Sequence, residues 1–376
     1  MKILQIHNEY KFFGGEDTVV QAEKDLLIKE GHSVIQLIRR NNDEIKNSYD
    51  NLKILQNLSY SQKSLKILEE KIDKKNIPDI VHIHNLFPLW TYSIFDFFKK
   101  NKIPIVMTLH NYRIIWNKFS IFDKKLINYG YFKNSKLKTI IVSRLLNKKE
   151  DLLNYVDKFI TFTDFTKNEL LKSGLPKEKF TIKPNFLLNK KIETKNINNK
   201  KNAIFASRIS KEKGIKTLTK AWEKINLKIN IYGDGPMLKD LKNKHYSNTN
   251  LILHGPKDRA FIENEITNSK LLIFPSEWFE CMPMTILESF RAGTLVIASN
   301  IGSINYIIKD KYNGILFKPG NYKDLREKVN WALDNPNECD LISKNALNDF
   351  NTKYNDKFNY QQLLKIYQEV IENYQK

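Results

Sequence analysis

The chain has 376 residues, 41% of them hydrophobic and 12% aromatic, which allows two to three domains with substantial cores and excludes a disordered polymer. Its formal net charge is +20, and no apolar run approaches the roughly 18 residues of a spanning helix. Two cysteines, Cys281 and Cys339, exclude a disulfide framework and a zinc-finger spacing.

The chain opens with MKILQIHNEYKFF, which turns polar too soon for a signal peptide; a cytoplasmic protein is expected. KILQIH (2–7) reads as the first strand. Gly14 and Gly15 follow it, ahead of a helix starting near Glu16, and two glycines let backbone amides approach a phosphate or a sugar. A flexible turn explains the pair equally well. Further strands are read at SVIQLI (33–38), DIVHIH (79–84) and IPIVMTLH (103–110). His82 and His84 share one strand face because side chains alternate, and His110 ends the next strand. Three converging imidazoles are compatible with zinc, but no carboxylate-rich ligand set accompanies them in the sequence.

Residues 97–149 carry 13 Lys or Arg against one acid, Asp123, with Trp116, Phe119, Phe122, Tyr129, Tyr131 and Phe132 interleaved. Such a segment suits an anionic membrane surface, where the aromatic rings dip into the interface. Compositional drift in a Lys- and Asn-rich chain is the plain alternative. Nucleic acid is not an expected partner, because no recognised binding motif accompanies the charge.

KFITFT (158–163) and KFTIKP (179–184) complete the first half. Residues 186–201 are polar and lack apolar periodicity, so they are read as a linker between domains 1–185 and 202–353. The second half repeats the alternation with strands at 202–207, 228–233, 250–255, 270–275, 294–299 and 314–319. Strands alternating with helical stretches mean two doubly wound parallel sheets, an α/β class, with ligands expected in the cleft between them. Residues 354–376 read as an amphipathic helix through Phe358, Leu363, Leu364, Tyr367, Val370 and Ile371.

The segment FPSEWFECMPMTILESFRAG (274–293) is the most informative. Glu280 sits in a loop after an apolar strand, and Glu288 lies two turns inside a helix read as opening at Pro283 and closing before Gly293. The free amides at the start of that helix favour an anion, while the carboxylates favour hydroxyl groups. A nucleotide-sugar offers both. The segment resembles the E-x7-E signature of retaining glycosyltransferases of GT-B architecture, family 4, matching at Pro275, Ser276, Glu280, Pro283, Glu288 and Gly293. It departs at Cys281, where glycine is usual.

Other stretches carry the same resemblance. ASRISKEKG (206–214) matches at Arg208, Lys213 and Gly214, with Ser207 for the usual glycine; Gly14 and Gly15 match an N-terminal G-G-x-E pattern. IGSINY keeps Gly302 but has Tyr306 where glutamate is usual, and TLHNYR continues into IIWNKFS rather than a Cys-Pro sequence. The resemblance implies that Arg208 and Lys213 hold the diphosphate and, with Glu280 and His110, form the catalytic set. Cations there oppose the charge that develops on the leaving nucleotide. It implies donor contacts from Gly14, Gly15, Gly233, Pro256, Lys257, Met282, Met284 and Thr285, with Glu288 on the ribose. It places His82, His84, Asn85, Tyr112 and Arg113 on the acceptor side and returns the last helix to the first domain. Relatives carry HxHN and TLHNYR-like motifs without metal, so no metal or other cofactor is expected.

The expected function is retaining transfer of a sugar from a UDP- or GDP-sugar to a saccharide or polyprenyl-linked saccharide, in bacterial cell-surface glycan synthesis at the inner face of the membrane. A GT-B nucleotide-sugar epimerase or hydrolase is the first rival, distinguished by product formed without acceptor. A non-catalytic nucleotide- or nucleic-acid-binding protein is the second, and a histidine-based metal hydrolase the third.

Overall fold

The computed structural model of the chain describes residues 1–10, 14–57, 60–72, 76–112, 154–172, 174–190, 199–243 and 249–375. Most of the basic, aromatic segment 97–149, with Trp116 and Arg113, lies outside them. The chain divides into two compact units, Met1–Lys183 with Tyr360–Lys376, and Pro184–Asn359.

Each unit is built on a six-stranded sheet whose paired strands all run parallel. In the first unit the order is β2-β1-β3-β4-β5-β6, from β1 (Lys2–Glu9), β2 (Ser33–Arg40), β3 (Ile80–Ile83), β4 (Ile105–Thr108), β5 (Lys158–Thr161) and β6 (Phe180–Ile182). In the second it is β12-β11-β10-β7-β8-β9, from β7 (Lys201–Ala206), β8 (Ile229–Tyr232), β9 (Leu251–Gly255), β10 (Ser269–Phe274), β11 (Leu295–Ser299) and β12 (Ile315–Phe317). All twelve stretches read as strands from the sequence are strands. Parallel strands buried on both faces need near-continuous apolar runs, as in β4 (IVMT) and β11 (LVIAS), which are buried throughout.

Alternation along the first sheet sends side chains to two cores. Leu4, Ile6, Val81, Ile83, Ile105, Met107 and Phe159 join one cluster, and Ile3, Ile80, Val106 and Ile160 join the other. The second cluster is closed by Leu363, Ile366, Tyr367 and Val370 of the Asp356–Gln375 helix, which supplies the apolar stripe seen in the sequence. Along that face two strands change character toward their C-terminal ends: Ile3, Gln5, His7 on β1, and Ile80, His82, His84 from β3 onward. The apolar floor thus ends in a polar rim.

The unit boundary falls at Lys183–Pro184. The stretch read as a linker differs from expectation at its described ends: Phe186, Leu187 and Lys200 are buried within the second unit. Residues 191–198 lie outside the described residues. A polar composition concealed two packed aromatic and aliphatic side chains and one buried ammonium.

Gly214 shows why the loop after β7 needs glycine. It has φ +71°, and a Cβ there would lie 1.7 Å from the Pro275 carbonyl oxygen. Gly214→Ala therefore forces apart the loops after β7 and β10. A loss of about 2–3 kcal/mol in unfolding free energy is expected from overpacking and left-handed strain together, read in urea titrations. A change under 1 kcal/mol would mean those loops yield freely.

Candidate active site

In an open parallel sheet the natural binding place is where the strand order reverses, beyond the carboxyl ends of the strands. In the second unit that switch lies between β7 and β10, which pair directly. A concavity there is lined by Ala206, Ser207, Lys213, Phe274, Pro275 and Ser276. Lys213 sits on a 3-10 turn (Lys211–Lys213) that Gly214 terminates. Its Nζ donates to Glu280 Oε1 at 2.5 Å, and Ser276 Oγ donates to the same oxygen at 2.8 Å. Two residues 67 apart in sequence therefore meet as a partly buried ion pair. Arg208 is exposed, with no hydrogen bond or ion pair among the described residues.

The helix after Glu280 is Met284–Arg291. Pro283 is its N-cap, with extended ψ 116°, rather than part of its first turn. Glu288 is accordingly about one turn inside the helix and not two. Gly293, φ +56°, follows the C-terminus as the sequence implied. Cys281 is buried and has no positive φ, so the backbone does not require the glycine it replaces. The amides of Met284 and Thr285 have no acceptor among the described residues, leaving two donors open at the helix start. At the other end the buried Lys200 ammonium donates to Ala292 O, Gly293 O and Thr294 Oγ1 at 2.8, 3.0 and 2.8 Å, pinning that terminus. Glu288 is buried and meets Arg259 Nη2 at 3.1 Å, while burial pushes its carboxyl up against that arginine's pull.

Several expected donor residues have other duties here. A Cβ on Gly233 would lie 2.0 Å from the Ser207 carbonyl oxygen, so the close approach it permits is to the β7 loop. Met282 is buried, and its sulfur accepts from Asn185 N–H at 3.0 Å. Pro256 and Lys257 are exposed, with the Lys257 ammonium 5.5 Å over the Phe261 ring.

In the first unit the order reverses between β1 and β3, and the polar rim lies there. Gly14 is the N-cap of the Gly15–Lys29 helix, and its N–H donates to Asp17 Oδ2 at 2.7 Å; Asp17 also bonds His7 Nε2 at 2.7 Å. Gly15 is thus inside the helix, one residue before the expected start. The same helix brings Glu23 under the rim: Oε1 is 2.8 Å from His82 Nδ1, 3.2 Å from His84 Nε2 and 3.1 Å from Gln5 Nε2, and Oε2 is 3.4 Å from Lys183 Nζ. A carboxylate does accompany the histidines, contrary to the reading of the strand motifs alone. Glu23, His82 and His84 are close enough to hold a metal ion. The adjacent buried Lys183 already supplies the positive charge the carboxylate needs. His82 is also hydrogen-bonded at both nitrogens, to Tyr367 OH and Thr108 Oγ1, each at 2.7 Å. His82 thus has no free ring nitrogen, whereas the buried His84 Nε2 has no aligned hydrogen bond.

Full burial places His82 beneath the rim rather than on the acceptor side. Asn85 is also buried, its amide holding the Asn8 carbonyl at 2.7 Å. Tyr112 packs on the first unit's core. His110 is half-buried, and its Nε2 lies 3.1 Å from His84 Nδ1.

Burial, then the neighbouring His82, pushes His84 down to about 3; burial, then His84, holds His110 well below its usual value. Both are neutral when folded but titrate normally when unfolded. Their stabilising effect is complete above the unfolded value of 6.5 and is lost as pH falls toward the folded values. Each contributes a slope of up to roughly 1.4 kcal/mol per pH unit in that window. Unfolding free energy should fall steeply between about pH 6.5 and 4, more gently in His84→Asn. A flat profile would show that the histidines charge in place.

Glu23 and Lys183 are the residues that motif reading missed. The signal for Glu23 was available: it lies on the same helix face as Val19, Val20, Leu26 and Leu27, all buried. Lys183, Lys200 and Arg259 carried no such signal among so many cations.

The chain matches Glycosyltransferase Family 4 over residues 13–187 and Glycosyl transferases group 1 over residues 189–349. It is 25% identical over 98% of its length to an uncharacterized glycosyltransferase, MJ1178, of Methanocaldococcus jannaschii, covering 99% of that protein. It is 30% identical over 31% of its length to the N,N'-diacetylbacillosaminyl-diphospho-undecaprenol alpha-1,3-N-acetylgalactosaminyltransferase of Campylobacter jejuni, covering 30% of that enzyme. The structure of Anabaena Alr3699/HepE in complex with UDP and glucose superposes with TM-score 0.69 at 15% identity, covering 98% of this chain and all of that one. Two doubly wound parallel sheets, the switch-point ion pair of the E-x7-E segment and family matches spanning 13–187 and 189–349 place this chain among the GT-B glycosyltransferases of the family 4 type.

Proposed function

We propose that the protein is a retaining, metal-independent glycosyltransferase that moves a sugar from a nucleoside-diphosphate donor to a lipid-linked saccharide. The observation carrying this reading is the Lys213–Glu280–Ser276 cluster at the β7/β10 switch, next to the open amides of Met284 and Thr285. A diphosphate suits the amides, Lys213 and the exposed Arg208; a sugar hydroxyl suits Glu280 once Lys213 turns to the phosphate. Glu288 takes a ribose hydroxyl in place of Arg259. On the first unit, neutral His110 suits a sugar hydroxyl.

Charge on the leaving diphosphate grows as the glycosidic bond breaks, so cations fixed before the reaction stabilise the transition state more than the ground state. The leaving phosphate takes the acceptor's proton on the face it departs from, which retains configuration. No separate general base is then required. The lipid-linked acceptor is supported by the substrate that the Campylobacter relative's name states and by the basic, aromatic segment 97–149, which would dock on an anionic membrane. No helix among the described residues is long and apolar enough to cross a membrane.

Thermal-shift titration with UDP and GDP in EDTA tests the donor site. A ligand at 100 times its Kd stabilises by about 2.7 kcal/mol, and that shift should vanish in Arg208→Ala. No shift with either nucleotide refutes the reading, and activity abolished by EDTA refutes metal independence. Flotation with anionic liposomes at low salt tests docking, and absence of binding rejects it.

A further inference from the structure

We propose that Glu23 and His84 set the tautomer of His110, so that His110 presents Nδ1 as a bare hydrogen-bond acceptor; both act as positioning residues. This rests on the glycosyltransferase reading for its purpose, though not for its geometry.

The chain of contacts is short. Glu23 Oε1 lies 3.2 Å from His84 Nε2, His84 Nδ1 lies 3.1 Å from His110 Nε2, and those two rings are tilted by 33°, with centroids 5.3 Å apart. Glu23 is ionised: burial pushes its carboxyl up, but His82, Lys183 and His84 outweigh that and hold it well below the usual range. An ionised carboxylate only accepts. The contact at His84 Nε2 is close without being an aligned hydrogen bond, yet its electrostatics are one-sided. A proton on Nε2 faces the carboxylate favourably, whereas a lone pair there faces another lone pair.

A neutral imidazole has one donor and one acceptor. With Nε2 protonated, His84 Nδ1 accepts, and the group meeting it must donate. His110 Nε2 therefore carries the proton, and His110 Nδ1 is left bare. Nδ1 makes no hydrogen bond among the described residues. The preference travels from a buried charge through two rings to an atom that can meet a ligand. Lys183 anchors the far end, and the fully buried His82, bonded to Tyr367 and Thr108, fills the space beside it. A bare nitrogen accepts from a sugar hydroxyl, so this end selects a donor group rather than an ether or carbonyl oxygen.

The test is 15N NMR of the full chain labelled at histidine, with His110 assigned by difference against His110→Gln. At neutral pH without nucleotide, His110 should be the neutral Nε2–H tautomer, and Glu23→Gln should convert it to a mixture. His84→Asn leaves an acceptor where Nδ1 stood, and His84→Leu removes it. With a working donor, kcat should fall about ten-fold in His84→Leu at unchanged donor KM, the size of one lost hydrogen bond, and largely recover in His84→Asn. An Nδ1–H or doubly protonated His110 in the unaltered protein overturns the proposal. So does a stoichiometric divalent metal in the purified protein that is lost in His84→Asn. If no donor supports transfer, the glycosyltransferase reading fails and the NMR result still decides the tautomer.

Discussion

Lys213→Ala is expected to lower kcat/KM by about 10²–10³-fold, the scale seen when one preorganised group opposing developing charge is removed. Its ammonium is the cation held at the β7/β10 switch, 2.5 Å from Glu280. In the proposed donor site, removing it takes away the counter-charge to the departing diphosphate and leaves Glu280 without its cation, held by Ser276 alone. Both effects raise the barrier. Stability should change little, because a partly exposed ion pair is worth about 0–1 kcal/mol. Large kinetic loss with small stability loss is thus the signature. Lys213→Arg should restore part of the rate, since the charge returns with a differently shaped fork. Steady-state kinetics beside urea unfolding decide the matter, and activity within three-fold of the unaltered enzyme would remove Lys213 from the mechanism.

Lys183→Met should cost about 3–5 kcal/mol of stability, the range for deleting one partner of a buried ion pair. Lys183 is fully buried, and its pKa is pushed down by burial against the pull of Glu23. Methionine replaces the stem and leaves the Glu23 charge without its cation. Glu23→Gln added to Lys183→Met should recover much of the loss, a coupling a double-mutant cycle measures directly. The sign with pH is also set. Glu23 has a folded value below 4.5, so its favourable contribution is present above that value and lost as pH falls through the folded one. The penalty of Lys183→Met should therefore shrink in acid, where the stranded carboxylate can protonate. A loss below 1 kcal/mol at neutral pH would mean Glu23 is already neutral.

The legible and the hidden parts of this protein separate by range of interaction. Twelve strands could be read because each is a short apolar run between turn residues, a pattern that a parallel sheet demands locally. The E-x7-E loop was readable for a similar reason: Pro283, Glu288 and Gly293 mark one helix whose ends are local chemistry. Even there the start moved by one residue, since proline suits the N-cap's extended backbone as well as the first turn. His82 showed the limit of strand alternation. The period places it on the same face as His84, but only the Asp356–Gln375 helix, through Tyr367, turns it from a surface group into a buried one.

Charged residues were the least legible. With 62 Lys and Arg in the chain, sequence offers no way to see that Lys183 and Lys200 are buried and most others are not. Burial of a cation depends on acceptors brought from elsewhere: Glu23 for Lys183, the end of the Met284–Arg291 helix for Lys200. Family, fold class and strand layout were decided by the sequence alone, because they follow from periodicity and short motifs. The pairing of Lys213 with Glu280, of Arg259 with Glu288 and of Glu23 with the histidine rim was decided by tertiary structure. Charges 29 to 160 positions apart cannot be matched until the sheets set their strand ends side by side.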